Sequence, residues 1–375
     1  GARMLKALDE RTGFSKADPE DVVFGVGDGV FDQGSNLARS AMLHAGFPVE
    51  IPGETVSRFC SSGLDAINTA AARVIAGQGD LIVAGGVEMM SLIPIAGTGG
   101  PNGSDAKFND TVAFVPQGIS ADLMATLYGH SREDVDAYAA ESQKRAAAAW
   151  SEGRFAGSIV EIRDDEGELL LDRDEYMRPS TTRETLAQLR PAFQGMGEKG
   201  GFDAIARRRY PEVAAINHVH TAGNSSGIVD GAAAMLIGSR EGGERLGLKP
   251  RARIRSFASV GMDPTLMLAA PSDATARALN RLGMEFSDVD LYEVNEAFAT
   301  VGLHFMEKSG VDHARVNPNG GGISMGHPIG ATGVMLINTL LDELERTDKQ
   351  VGVATLCVGE GMAVATCIER VEGFA

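Results

Sequence analysis

The sequence predicts an α/β layered fold made of two similar halves, with a loop domain inserted into the first half. Short apolar runs alternate with helical patterns, an order typical of helices that pack on sheets. One series of these elements occurs twice along the chain. A long stretch rich in polar residues, turns and glycine interrupts the first occurrence, which is why we predict an insertion there.

The first half opens with a helix and a buried strand. Residues 3–12 follow a helical pattern that ends at Gly13, and residues 21–26 form a short apolar run followed by a glycine-rich turn. A second helix is predicted over residues 35–46. The apolar run 80–86 is typical of a fully buried parallel strand.

A lone cysteine lies at the start of the helix between these strands. Cys60 follows a β-branched run, and a helical pattern then continues from Leu64 to about Gly77. Unpaired N–H groups and the helix dipole favour negative charge at such a place. We therefore expect a thiol with a lowered pKa that can act as a nucleophile. The alternative interpretation is a small buried core residue, which free cysteines usually are.

The domain boundaries follow from changes in composition. Residues 1–92 and 220–248 are assigned to the first half, 93–219 to the inserted loop domain and 249–375 to the second half. Within the insertion, the sequence predicts a surface loop over residues 92–118. A strongly helical stretch is expected over residues 119–151, with a capping box beginning at Ser131.

The second half repeats the order of the first. Its predicted strands are residues 251–260, 289–294, 351–357 and 362–368, and its main predicted helices are residues 272–283, a helix opened by Asn295, and residues 329–344. Cys60 lies 39 residues after Asp21, and His327 lies 39 residues after Asp288. A pseudo-twofold between the halves would bring both helix starts together, so that a cysteine meets a histidine. A coincidence between generic strand–helix–strand units is the alternative.

Composition limits the classes of function. The apolar content of 43% and charged content of 23% are ordinary for a globular enzyme, and the net charge of −17 disfavours nucleic acid and anionic membranes. Three cysteines without paired spacing indicate reduced thiols in a cytosol-like compartment, and their spacing does not support zinc. No apolar run approaches about 18 residues and no signal peptide is visible.

Six short motifs then occur in one characteristic order. They are Cys60-Ser-Ser-Gly, Leu-Arg190-Pro-Ala-Phe, Gly223-Asn-Ser-Ser226-Gly, Asn295-Glu-Ala-Phe298-Ala, Gly326-His327-Pro-x-Gly-x-x-Gly333 and Cys357-x-Gly359-x-Gly361. Together they resemble the thiolase family, the acetyl-CoA C-acyltransferases and acetyltransferases, along nearly the whole chain. The resemblance implies an α/β/α/β/α layered fold, and it leads us to expect a first strand and loop before Gly1.

The resemblance also implies a role for each matching residue. Cys60 would attack the carbonyl and carry the acyl group, while His327 would take its proton and help form one oxyanion hole. Asn295 would hold the water that completes that hole. Cys357 would be the second acid/base, and the N–H groups of Cys60 and Gly359 would form the other oxyanion hole. The positions that match the coenzyme A site are Arg190, Ser226 and Phe298.

The implied reaction is reversible CoA-dependent cleavage of a 3-ketoacyl-CoA to acetyl-CoA and a shortened acyl-CoA, or the reverse condensation. Coenzyme A would be a substrate, with no tightly bound cofactor and no metal. A cytoplasmic homodimer or homotetramer active in fatty acid metabolism is expected. Two alternatives stay open: another condensing enzyme of the ketoacyl-synthase type, which would lack Cys357, and a non-catalytic protein that binds CoA esters.

Several positions depart from the family pattern or have plainer interpretations. Glu360 stands where many thiolases carry glycine, and Gln117 lies where acetoacetyl-specific members show His-Met-Gly. Asn295 could simply be a helix N-cap. The remaining cysteine and two histidines are interpreted as structural: Cys367, His218 and His220.

A basic cluster in the insertion is a candidate for binding phosphate. Lys199, Arg207, Arg208 and Arg209 lie close together in an otherwise acidic chain. Guanidinium groups suit phosphate because each can bind two oxygens. The hypothesis is a contact with the phosphates of coenzyme A; a solvated helix face is the alternative.

Overall fold

The structure is a computed structural model that describes residues 1–164 and 166–374. Its strands form two four-stranded sheets and one small hairpin. The strands are β1 Asp21–Gly25, β2 Gly53–Val56, β3 Leu81–Met89, β4 Ile162–Arg163, β5 Leu169–Leu171, β6 Asp230–Gly238, β7 Ala252–Gly261, β8 Leu291–Val294, β9 Val351–Val358 and β10 Met362–Arg370.

Helices cover these sheets and fill the space between them. They are α1 Ala2–Thr12, α2 Leu37–His44, α3 Ser62–Ile75, α4 Pro101–Ser104, α5 Ala106–Val112, α6 Gln117–Tyr128, α7 Arg132–Ser151, α8 Arg183–Ala187, α9 Gln194–Glu198, α10 Phe202–Arg209, α11 Arg240–Leu246, α12 Pro271–Asn280, α13 Ala299–Ser309, α14 Gly322–Met325 and α15 Ile329–Arg346. Short 3₁₀ turns occur at Phe31–Gln33, Phe59–Ser61, Phe286–Asp288 and His313–Arg315.

The two large sheets have matching topology. In the first, with order β2-β1-β3-β6, β1 is parallel to β2 and β3, and β6 is antiparallel to β3. In the second, with order β7-β10-β9-β8, β8 is parallel to β9, and β10 is antiparallel to β9. Val316 forms an isolated parallel bridge with Tyr292 of β8. It therefore occupies the place beside β8 that β2 occupies beside β1. The repeated strand order predicted from the sequence is therefore confirmed.

Helices α3 and α15 lie between the sheets and form the central layer. A single apolar cluster joins both helices to strands of both sheets, through residues such as Val23 of β1, Ile67 of α3, Ile337 of α15 and Leu356 of β9. Helices α1 and α2 pack on the outer side of the first sheet. Helices α12 and α13 pack on the outer side of the second. The layer order is the predicted α/β/α/β/α.

The first turns of the two central helices approach each other closely. A Cβ atom at Gly333 would lie 2.0 Å from the backbone nitrogen of Leu64, and one at Gly63 would lie 2.7 Å from the carbonyl oxygen of Gly330. Only glycine permits this separation, because any side chain would collide with backbone. The expected meeting of the helix starts is thus present, and glycine makes it possible.

The insertion contains more helix than the sequence predicted. The surface loop expected over residues 92–118 holds α4 and α5, and the helical stretch expected over 119–151 is divided into α6 and α7. The break falls at Gly129, whose φ is +77°. The predicted capping box is confirmed. The Ser131 side chain accepts from the Asp134 N–H, and the Asp134 side chain accepts from the Ser131 N–H.

Two structural features are absent from residues 1–164 and 166–374. None of the helices there is long and apolar enough to cross a membrane. Nor do these residues contain a group of three or more His, Cys, Asp or Glu side chains arranged to hold a metal ion.

Candidate active site

Cys60 lies in the 3₁₀ turn Phe59–Ser61, between β2 and the first turn of α3. Phe59 has a φ of +45°, a backbone region that costs energy for a residue with a Cβ and that often occurs at functional sites. The Ser62 hydroxyl closes the turn, since it accepts from Arg58 N at 2.9 Å and donates to Phe59 O at 2.6 Å. The turn leaves Cys60 only 5% exposed.

The expected lowering of the pKa of Cys60 is wrong. Burial raises the pKa of this thiol, because the thiolate loses its hydration. Hydrogen bonds from the Gln117 side chain and from the backbone N–H groups of Gly359 and Cys60 lower it in part, whereas the charge of Glu88 raises it further. The protein without substrate therefore holds Cys60 as a neutral thiol.

His327 lies two residues before α15 and is 5% exposed. Its Nε2 lies 3.2 Å from Asn295 Nδ2, and its Nδ1 lies 2.6 Å from Thr332 Oγ1. Because Asn295 Nδ2 can only donate, Nε2 is the unprotonated nitrogen and Nδ1–H donates to Thr332. Thr332 in turn donates to Pro328 O at 2.9 Å. Burial lowers the pKa of His327 to about 4, so the ring is neutral.

Asn295 does not open a helix, contrary to the prediction. It is the first residue after β8, whereas α13 begins at Ala299 and has Phe298 as its N-cap. Asn295 N donates to Thr355 O at 3.0 Å, which continues the pairing of β8 with β9. This backbone pairing keeps Asn295 out of the helix, and its side chain hydrogen-bonds to His327. The buried Oδ1 of Asn295 has no hydrogen-bond partner among the described residues.

Cys357 and Gly359 occupy the turn between β9 and β10. Cys357 is 0% exposed on the last residues of β9, and burial raises the pKa of its thiol well above the ordinary value. A negative charge on Cys60 raises that pKa further. The 3₁₀ turn of Cys60 contacts β9, the strand that carries Cys357. Gly359 directs its N–H at the Cys60 sulfur. The turn thus brings a second thiol and a backbone donor to Cys60.

The structure therefore places the predicted catalytic residues in one region. The 3₁₀ turn of Cys60 contacts β9, which carries Cys357. It also contacts α15, which begins two residues after His327. Within residues 1–164 and 166–374 there is no hydrogen bond between Cys60 and His327. Both groups are neutral, so they do not form an ion pair.

Glu88 was not predicted from the sequence, although a carboxylate at the end of an apolar strand was a signal. It is 1% exposed at the end of β3 and accepts from Gly27 N at 2.6 Å, Gln33 Nε2 at 2.6 Å and Gly330 N at 2.8 Å. The bond to Gly330 places a carboxylate at the N-terminus of α15, where the helix dipole stabilises it. Glu88 thereby fixes the start of the helix next to His327.

Gln117 is the other residue that sequence reasoning missed as part of the site. It is the first residue of α6, and its Nε2 lies 3.8 Å from Cys60 Sγ. The position was visible only as a departure from the family pattern. Its 57-residue separation from Cys60 left no local signal for the contact.

The three residues expected at coenzyme A are only partly brought together. Ser226 N donates to Ala297 O at 2.9 Å, which places Ser226 beside Phe298. Phe298 is 7% exposed, and its ring packs edge-to-face against Phe193 and His220. Arg190 is exposed, three residues before Phe193.

Two arginines of the basic cluster already have carboxylate partners. Arg208 pairs with Asp110 at 2.7 Å, and Arg209 pairs with Asp263 at 2.6 Å. These pairs join α10 to α5 and to the loop after β7. The cluster consequently presents less free positive charge than the sequence suggested.

Cys367, His218 and His220 were interpreted as structural. The cysteine lies in the core, and both histidines bond to one buried carboxylate. Cys367 is 0% exposed in the core, and burial raises the pKa of its thiol to about 11. Asp122 of α6 accepts from His218 Nδ1 at 2.7 Å and from His220 Nδ1 at 2.8 Å. His218 Nε2 also lies 3.0 Å from Asp203. This network joins α6, α10 and the segment before Thr221.

Comparisons with known proteins agree with this architecture. The family model described as thiolase, N-terminal domain, matches residues 1–201, and that described as thiolase, C-terminal domain, matches residues 248–370. The chain is 39% identical over 375 residues to a 3-ketoacyl-CoA thiolase of Psychrobacter cryohalolentis, covering 99% of this chain and 91% of the relative. It is 39% identical over 387 residues to an acetyl-CoA acetyltransferase of Chromobacterium violaceum, covering 99% and 93%. With both domain models matched in order and these relatives aligned along almost its whole length, the chain belongs to the thiolase family.

Proposed function

We propose that the protein is an acyltransferase that cleaves 3-ketoacyl-CoA with coenzyme A, giving acetyl-CoA and a shortened acyl-CoA, and that also catalyses the reverse condensation. One observation carries the proposal. Two buried thiols, Cys60 and Cys357, lie on a 3₁₀ turn and on a strand that contact each other, and the Gly359 N–H points at the Cys60 sulfur. One thiol can carry the acyl group while the other transfers protons.

In the first half-reaction the Cys60 sulfur attacks the 3-keto carbonyl carbon, and its proton moves to Nε2 of His327. The bond between the α-carbon and this carbonyl carbon then breaks, which leaves the acyl group on Cys60. The departing α-carbon takes a proton from Cys357, and acetyl-CoA is released. Nε2 is suited to receive the proton because it is the unprotonated ring nitrogen.

In the second half-reaction Cys357, now a thiolate, takes the proton of incoming coenzyme A. The CoA sulfur attacks the acyl group on Cys60, and shortened acyl-CoA leaves. The Cys60 thiolate recovers its proton from His327, so all protons return to their starting positions. Burial keeps water away from the acyl-cysteine, which would otherwise be open to hydrolysis.

Two sets of donors would stabilise the oxyanions. The backbone N–H groups of Cys60 and Gly359 already lie at the sulfur, where a carbonyl oxygen of the acyl group would be next to them. Protonated His327 and a water held by Asn295 would form the second set. The unpartnered Oδ1 of Asn295 supports this role, since it can accept a hydrogen bond.

Coenzyme A would lie along Ser226, Phe298 and Arg190, and it would act as a substrate with no tightly bound cofactor. A ketoacyl-synthase type of condensing enzyme is disfavoured because a cysteine, Cys357, lies on the strand that contacts the turn of Cys60. A non-catalytic binding protein is disfavoured because a nucleophile, a base and a second thiol are all present in one region. Metal chemistry has no part in the proposal.

The cellular setting is also a proposal. Similarity to 3-ketoacyl-CoA thiolases favours a role in fatty acid metabolism, of the β-oxidation type. The three free cysteines favour a reducing, cytoplasmic compartment. A homodimer or homotetramer is favoured because β2 is an edge strand, whose unpaired backbone groups can bind a second copy.

The direct test is thiolysis with 3-ketoacyl-CoA substrates of increasing chain length, with products separated by chromatography. We expect acetyl-CoA and an acyl-CoA two carbons shorter in equal amounts, and the chain-length optimum defines the substrate. Binding of coenzyme A by calorimetry without turnover of any chain length would instead identify a non-catalytic protein.

A further inference from the structure

We propose that Gln117 is a further catalytic residue, whose side-chain N–H donates to the Cys60 sulfur and stabilises the thiolate. The inference rests on the proposed function for the identity of the nucleophile. It is carried by the contact of 3.8 Å between Gln117 Nε2 and Cys60 Sγ, a length suited to a hydrogen bond to sulfur. Neither family membership nor the matching motifs assign this residue a role.

The amide of Gln117 lies beside Gly359, the residue whose N–H also donates to the Cys60 sulfur. A Cβ atom built on Gly359 would lie 3.9 Å from Gln117 Nε2 and 3.6 Å from the Phe59 ring. The side-chain donor and the Gly359 N–H therefore act on the sulfur together. Sulfur accepts such bonds weakly as a thiol and more strongly as a thiolate, because the acceptor is then charged.

The titratable groups around Cys60 do not stabilise its thiolate, so an N–H donor is important there. The titratable groups that face it are Glu88 at the end of β3, Cys357 on β9 and His327 before α15. Glu88 is negative and raises the pKa of Cys60, and the other two are neutral. In the described part of the chain, stabilisation of the thiolate comes from N–H donors, of which Gln117 is the only side chain.

Helix α6 holds the amide in position. Asp122, one turn further along α6, accepts from Val219 N at 3.1 Å and His220 N at 3.0 Å, which fixes the helix to the segment before Thr221. A Cβ atom at Gly118 would lie 2.2 Å from the Phe193 ring, so this glycine lets α6 pack directly on that ring. Gln117 is thus presented by an anchored helix terminus and not by a free loop.

The donor would act at two points of the reaction. It stabilises Cys60 as its proton moves to His327 in the first half-reaction. It acts again in the second, when the acyl group leaves and the Cys60 thiolate forms anew. Between these points the sulfur belongs to a thioester and is a poor acceptor. Loss of Gln117 should therefore slow both half-reactions.

The test compares Gln117→Met and Gln117→Glu with the wild type. Methionine has nearly the same length but no N–H, and glutamate replaces the donor with a negative charge. The measurement is the rate of Cys60 alkylation by iodoacetamide as a function of pH, with the modified peptide identified by mass spectrometry. For Gln117→Met we expect a rate about tenfold lower near pH 8 and a titration midpoint about one pH unit higher. Gln117→Glu should show a larger shift in the same direction.

Gln188→Met is the matched control, because Gln188 is exposed at the end of α8 and should leave alkylation unchanged. Unfolding temperatures identify a variant that fails to fold, and the other variant then decides the outcome. An unchanged midpoint in a folded Gln117 variant overturns the proposal. Alkylation needs no turnover, so a shifted midpoint in a protein without thiolase activity would refute the proposed function and establish only the hydrogen bond from Gln117 to Cys60.

Discussion

Asn295 and His327 are joined by a hydrogen bond of 3.2 Å from Nδ2 to Nε2, and this bond selects the protonated nitrogen of the imidazole. Thr332 completes the arrangement on the opposite side of the ring. His327 therefore presents an unprotonated Nε2 on the side of the ring that faces Asn295. The low pKa of about 4 keeps the ring able to accept a proton at neutral pH.

Substitution of Asn295→Ala should reduce kcat by about 10²–10³-fold, because it removes a member of an oxyanion-stabilising set and the partner that orients Nε2. KM for coenzyme A should change little, since in this mechanism Asn295 acts on the oxyanion and not on coenzyme A. Steady-state thiolysis measures both constants. A large rise in KM with unchanged kcat would show that Asn295 serves substrate binding instead.

Substitution of Cys357→Ser should leave acyl transfer onto Cys60 from acetyl-CoA largely intact but stop the second half-reaction. Serine keeps the size of the side chain but has a far higher pKa, so it cannot take the proton of coenzyme A or of an α-carbon. Rapid quenching followed by mass spectrometry should show an acylated enzyme that persists. Turnover near the wild-type rate would remove Cys357 from the mechanism.

The strand order and the meeting of α3 with α15 could be predicted from the sequence. Apolar periodicity defined the strands, and the equal spacing of Cys60 and His327 from their strands related the two halves. The helices α4 and α5 could not be predicted, because their glycine, proline and asparagine content favours loops when considered alone. In the structure, loop-favouring residues start the helices, since Pro101 begins α4 and the Asp105 side chain caps α5.

The site was predictable in its residues but not in its electrostatics. The helix-start position of Cys60 indicated a low pKa, yet the burial that raises it comes from distant segments. Gln117 and Gly359 reach Cys60 from 57 and 299 residues away. Asn295 was misplaced on a helix because a short polar motif before an apolar run resembles a cap. Neither the contacts nor the burial are encoded locally.

His218 should give the protein a pH-dependent stability. The hydrogen bond to Asp122, with a second contribution from Asp203, raises the pKa of His218 from an ordinary 6.5 to about 9. The folded state therefore holds this proton more tightly than the unfolded state, so the stabilisation is complete below pH 6.5 and is lost as pH rises through 9.

His218→Gln should remove this dependence, lowering the free energy of unfolding by on the order of 2 kcal/mol at pH 6 and by little at pH 10. Urea unfolding of both proteins across this range gives the difference directly. A difference that does not vary with pH would mean that His218 is neutral in the folded protein.

The triple change Arg207→Gln, Arg208→Gln and Arg209→Gln should raise KM for coenzyme A by about threefold at low salt without changing kcat. The effect should be small because Arg208 and Arg209 are already paired. Asp110→Asn is the matched opposite change, since it frees Arg208 and should lower KM. Dephospho-CoA should respond less than coenzyme A if the 3′-phosphate is the contact. An unchanged KM in both variants would separate this cluster from CoA binding.

The central claim is that Cys60 carries the acyl group, and the most direct measurement is the mass of the acylated peptide. Wild-type protein is mixed with 3-ketoacyl-CoA in the absence of free coenzyme A, quenched in acid and digested for mass spectrometry. We predict one shortened acyl group per chain on the peptide that contains Cys60, and neither adduct nor thiolysis in Cys60→Ala. An acyl group on the Cys357 or Cys367 peptide, or full activity in Cys60→Ala, would contradict the account.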